Sequence, residues 1–114
     1  MFPEITVTEL SDKLKSQDSF ILLDVREPEE LNYARITDSR LQSTPMSRLA
    51  HEGTKAMSDT AQAQDATIYV MCHHGSRSAQ VTVWLAQQGW KNVINVRGGI
   101  DEYARKVDQS VGFY

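Results

Sequence analysis

Apolar residues in this chain fall in short blocks divided by polar stretches. Ile5-Thr6-Val7 is a brief β-branched run, and Thr8 follows it ahead of Leu10 and Leu14 at helical spacing, which predicts a helix capped by Thr8. Phe20-Ile21-Leu22-Leu23-Asp24-Val25 is nearly all apolar, the pattern of a strand buried on both faces. Thr67-Ile68-Tyr69-Val70-Met71 repeats that pattern, and Val93-Ile94-Asn95-Val96 is a last strand. Pro28 in Arg26-Glu27-Pro28-Glu29-Glu30 suits the first turn of a short helix. Ser78 to Gln88 sets Val81, Trp84 and Leu85 on one helical face, with Gly89 as its stop. Ile100 to Val107 turns Ile100, Tyr103 and Ala104 inward.

The polar stretches are less structured. Residues 34–44 hold only isolated Ile36 and Leu41 and read as loop with a short strand, while Pro45 to Leu49 suits a short helix. Residues 51–65 are rich in Ala, Gln and Ser and allow one more short helix around Ala56, Met57 and Ala61. Strands alternating with helices predict an α/β fold around a mainly parallel sheet. Ligands of such sheets bind beyond the carboxyl ends of the strands. Cys72, Asp24 with Arg26, and Gly98-Gly99 all follow strand ends, so they are expected on one face.

With 114 residues, the chain suits one domain, residues 1–114, around one hydrophobic core. Its formal net charge of −3 is spread without a basic block, which argues against nucleic acid as a partner. No apolar run approaches the roughly 20 residues that span a bilayer. Met1-Phe2-Pro3-Glu4 lacks the basic start and apolar stretch of a signal peptide, so no membrane is expected and the cytoplasm is the default location.

Chemistry concentrates at Cys72, the one cysteine. His73 and His74 adjoin it rather than standing at zinc-ligand spacing, and His51 lies in a polar stretch, so neither metal nor cofactor is expected. A lone cysteine is by default a small core residue. Here it sits between a strand and a helix, ahead of the polar run His73-His74-Gly75-Ser76-Arg77-Ser78. Loop N–H groups and a helix N-terminus make such a position a good host for an anionic sulfur and a good place for a nucleophile. Gly75 admits a backbone conformation closed to other residues.

Leu22-Leu23-Asp24-Val25-Arg26-Glu27, Cys72 through Ser78, and Asn92-Val93 with Val96-Arg97-Gly98-Gly99-Ile100 together resemble, in order, the signatures of single-domain rhodaneses. The resemblance covers the chain from Ile5 onward. It implies a five-stranded, mainly parallel sheet with helices on both faces. It also implies a sulfurtransferase that carries sulfane sulfur as a persulfide on Cys72. The donor would be thiosulfate or a protein persulfide, and the acceptor a thiol, cyanide or a sulfur carrier. The backbone N–H groups of His73 through Ser78 would cradle the sulfur. Arg77 either offers a positive charge at the mouth or pairs with a local carboxylate. His73 and His74 either handle protons and donor or are solvated loop residues. Asp24 is expected to fix the loop by accepting its N–H groups, and Arg26 to pair with Glu27 or Glu30; both are supporting residues. Trp84 and Trp90 read as packing.

The chain departs from the family at Ala34-Arg35-Ile36-Thr37-Asp38-Ser39, where Gly-His-Ile and Pro-Gly-Ala often stand. Its tail, Val107 to Tyr114, is similar to rhodanese domains attached to ubiquitin-activating-like adenylyltransferases, with Gln109 and Gly112 in place of prolines. Two other functions compete. A cysteine phosphatase or arsenate reductase of the same fold has a loop one residue longer, whereas four residues separate Cys72 from Arg77. The shorter loop fits sulfur better than phosphate. A non-catalytic binding or regulatory module commonly lacks the cysteine that is present here.

Overall fold

Every strand pairs in parallel with its neighbours. The computed structural model describes residues 2–114. Its strands are β1 (Glu4–Ile5), β2 (Ile21–Asp24), β3 (Leu41–Ser43), β4 (Thr67–Met71) and β5 (Asn92–Val96), in the order β1-β5-β4-β2-β3. The apolar β4 and β2 lie inside the sheet, with Leu23 beside Val70 and Asp24 beside Met71. The two shortest strands form the edges, which limits exposed pairing groups.

Helices α1 (Val7–Lys15), α2 (Met46–Glu52), α3 (Ser76–Gln87) and α4 (Gly99–Lys106) cover the sheet. Side chains alternate across a strand, so each buried strand feeds two cores. Ile21, Leu23, Ile68, Val70 and Cys72 face Leu49 of α2 and Val81 and Leu85 of α3. Leu22, Tyr69, Met71 and Val96 face Val7 and Leu10 of α1 and Ile100 and Tyr103 of α4. The single core expected from chain length is therefore two, one per face of the sheet. Parity assigns Cys72 to the α3 side.

Several boundaries differ from the sequence reading. Thr6, not Thr8, caps α1: its Oγ1 accepts from Glu9 N–H at 3.1 Å while Glu9 Oε1 accepts from Thr6 N–H at 2.9 Å. Thr6-Val7-Thr8-Glu9 is a capping box, a stronger signal than the β-branched run that masked it. Helix α3 begins at Ser76, so Ser76, Arg77 and Ser78 form its first turn. Residues 51–65 finish α2 and then make tight turns at Gly53–Ala56 and Thr60–Gln62. Trp90 is buried there, its Nε1–H donating to Ala61 O at 2.9 Å. Among the described residues no helix is long and apolar enough to cross a membrane.

Candidate active site

Strand β4 ends at Met71, and five residues later, at Ser76, the chain already runs as α3. Gly75 makes that reversal with φ +102°. The turn folds the helix start back over Cys72, whose residue is only 1% exposed. Gly75 N–H donates to Sγ at 3.1 Å and Ser78 N–H at 3.4 Å, while Ser78 Oγ lies 3.3 Å away. The first N–H groups of a helix have no partner within it and carry its positive dipole end. The sulfur meets that end. The cradle is narrower than the full loop: among the N–H groups expected there, those of Gly75 and Ser78 make the contact.

Neighbouring elements hold the loop's outward carbonyls. Ile100 N–H donates to Cys72 O at 2.9 Å and Asp101 N–H to His73 O at 3.0 Å, so the unpaired N-terminus of α4 clamps the loop. Asn95 on β5 donates through Nδ2 to Gly75 O at 3.4 Å and to Glu4 Oε2 at 3.1 Å. Asn95 was legible only as a polar interruption in an apolar strand. It anchors the glycine on which the turn depends.

Asp24 and Arg26 do not act as expected. Asp24 accepts from Arg26, backbone and guanidinium, instead of from loop N–H groups. Arg26 Nη2 reaches Asp24 Oδ2 at 2.8 Å with both side chains 0% exposed, and it touches Glu30 only at the backbone carbonyl. Residues two apart at a strand end share a face, which explains the choice. Glu27 instead accepts from Ser47 Oγ at 2.7 Å.

From this buried pair a chain of hydrogen bonds leads to α3. Arg26 Nη1 donates to Tyr114 Oη at 3.2 Å, and Tyr114 Oη donates to Glu30 Oε1 at 2.9 Å. Arg77 then grips Glu30 with both prongs, at 2.7 and 2.9 Å. The Arg77 hydrogen bonds, against some opposition from burial, hold Glu30 at a pKa of about 2; Glu27 N–H and Tyr114 add to the effect. Of the two readings for Arg77, the carboxylate pair is the one realised. Glu30 and Tyr114 escaped the sequence reading because their role depends on residues far off in the chain.

His73 and His74 stand beside this chain of bonds. His73 stacks on Tyr114 with ring centroids 3.7 Å apart and planes 7° from parallel. Burial, and then the neighbouring charge of His74, push its pKa below the ordinary histidine value. Its Nε2 is buried without a hydrogen-bond partner, whereas His74 is exposed. His73, His74 and Asp101 bring metal-ligand atoms within 4.8 Å of one another, although Asp101 already accepts from Arg105. Ser76 faces solvent.

The profile described as Rhodanese-like domain matches residues 6–106. The chain belongs to the rhodanese-like family. It is 38% identical over 105 residues to a protein named sulfurtransferase from Allochromatium vinosum, covering 92% of this chain and 91% of that one. It is 36% identical over 115 residues to the rhodanese-like/PpiC domain-containing protein 12, chloroplastic, of Arabidopsis thaliana, covering 97% of this chain but spanning only 37% of that relative's length. Among solved structures it resembles SSP1007 from Staphylococcus saprophyticus, with TM-score 0.73 and 32% identity over 92% of this chain and 96% of that one. The rhodanese-like assignment accords with the parallel five-stranded sheet, and its coarse class is that of a family with sulfurtransferases among its members.

Proposed function

We propose that this protein is a sulfurtransferase that carries sulfane sulfur on Cys72. The observation that carries the reading is the sulfur's position against Gly75 N–H, Ser78 N–H and Ser78 Oγ at the head of α3. Those donors favour negative charge at Sγ, and both the resting thiolate and the loaded persulfide are anions. In the first step the Cys72 thiolate attacks the outer sulfur of the donor. The donor's S–S bond breaks and its electron pair leaves with the donor remnant, sulfite from thiosulfate or a thiolate from a persulfide. In the second step an acceptor thiolate or cyanide attacks the outer sulfur of the Cys72 persulfide, and Cys72 departs as a thiolate. No net oxidant enters. The reading takes with it a reducing compartment such as the cytoplasm, in which a free cysteine persists.

The test is intact mass after incubation with thiosulfate, and separately with a cysteine desulfurase plus cysteine. One added sulfur atom on the parent and none on Cys72→Ser is the expected result. No adduct under either condition, with turnover of an aryl phosphate, overturns the proposal in favour of a phosphatase. No chemistry of either kind favours a binding module.

A further inference from the structure

The loop's cation is already spoken for. Arg77 stands in the first turn of α3 between Gly75 and Ser78, the two residues whose N–H groups face Cys72 Sγ, and it is the guanidinium that the loop itself carries. Yet both of its terminal nitrogens hold Glu30. Glu30 is fixed in turn by Glu27 N–H at 2.8 Å and Tyr114 Oη at 2.9 Å, so the carboxylate is not free to swing away. Tyr114 is itself positioned by its stack on His73 and by Arg26. Two further guanidinium groups near the loop are also engaged: Arg26 is committed to Asp24 and Arg105 to Asp101.

Resting on the sulfurtransferase reading, we propose that Glu30, latched on Arg77 by Tyr114, is a specificity-determining residue that disfavours thiosulfate and selects organic persulfides as sulfur donors. The pair has no net charge, so it offers a dianion little attraction. Glu30 keeps a carboxylate beside the group that would bind the sulfonate. A persulfide brings at most a single charge on its sulfane end and needs no oxyanion contact. Transfer from it balances as above: Cys72–S⁻ and R–S–SH give Cys72–S–SH and R–S⁻. The low Glu30 pKa keeps this arrangement in force throughout the neutral range.

The experiment compares kcat/KM for thiosulfate and for glutathione persulfide in the full chain and in three variants. Glu30→Gln frees the Arg77 charge, and the thiosulfate-to-persulfide ratio should rise about tenfold. The gained thiosulfate activity should fall with added salt, because it depends on an accessible cation. Glu30→Asp, which retains the charge, should stay near the parent ratio. Tyr114→Phe removes the latch but keeps the ring, and should raise the ratio by less than Glu30→Gln; it also tests the proposal should Glu30→Gln not fold. A ratio unchanged or lowered in Glu30→Gln, or in Tyr114→Phe should Glu30→Gln not fold, in protein that still loads sulfur, overturns this proposal alone. A parent chain that takes sulfur from neither donor overturns the sulfurtransferase reading beneath it.

Discussion

Arg77 and Glu30 stand 47 residues apart in the chain and meet in a two-pronged ion pair at 2.7 and 2.9 Å. The pair ties the first turn of α3 to the Pro28–Asn32 turn that follows β2, across the mouth of the cysteine loop. Its two parallel hydrogen bonds give it a definite geometry, unlike a loose surface pair.

That pair sets an acid limit on stability. Glu30 is held at about 2, below its ordinary 4.5, so its stabilising contribution is complete above about pH 4.5 and is lost as pH falls toward about 2. Urea unfolding of the parent and of Glu30→Gln across this range should show a gap that is widest above pH 4.5 and closes in acid. A gap independent of pH would mean that Glu30 contributes only through packing.

Gly99 is required where α4 meets the loop. Its φ is +63°, and an added Cβ would fall within hard contact of the carbonyls of both Cys72 and His73. Those are the carbonyls that accept from Ile100 and Asp101, respectively. Gly99→Ala must therefore push the loop off α4, and destabilisation of more than about 1 kcal/mol is expected from the backbone conformation alone. Sulfur loading of Cys72 should fall with it. A variant with parental melting temperature and loading rate would remove α4 as the clamp.

Periodicity made the frame of this fold legible, and long-range polar contacts account for most of what it left out. The apolar runs at Ile21–Val25 and Ile68–Met71 are buried centre strands, and their alternation places Cys72 on the α3 side. Residues 34–44 gave little pattern because side-chain hydrogen bonds organise them. Arg40 donates to the carbonyl of Leu14 in the last turn of α1 and to those of Ser16 and Asp18 just beyond it, and its own carbonyl accepts Leu22 N–H beside β3. No local pattern announces such contacts. The same is true at the site: Cys72, Gly75 and Ser78 stand together in one motif, whereas Glu30, Asn95 and Tyr114 reach the loop through tertiary folding. The sequence presents Asp24 and Arg26 as separate actors because it does not show that both side chains are buried together.

Burial makes that Asp24–Arg26 pair sensitive to single changes. With both side chains 0% exposed, Arg26→Met leaves a buried carboxylate alone, and a loss of about 3–5 kcal/mol is expected. Asp24→Leu should cost about as much, since it strands the guanidinium. The double variant should be well above the sum of the two losses in stability, because neither charge is then left unpaired. Denaturant midpoints of the four proteins test this. Additive losses would show that the two residues do not act as a pair.

Ser78 separates the hydroxyl's role at the sulfur from that of the backbone. Its Oγ lies 3.3 Å from Cys72 Sγ, while its N–H approaches the same atom at 3.4 Å and survives any side-chain change. Ser78→Ala deletes a buried hydroxyl whose partner is the sulfur, so the persulfide loses one of its stabilising contacts and the fold loses little else. Loading of Cys72 from glutathione persulfide should slow about tenfold, a loss of transition-state stabilisation of about 1.4 kcal/mol. Unfolding free energy should move by no more than about 1 kcal/mol. Ser78→Thr retains the hydroxyl and should recover part of the rate if the added methyl is accommodated. Loading at the parental rate in Ser78→Ala would assign anion stabilisation to the N–H groups of Gly75 and Ser78 alone.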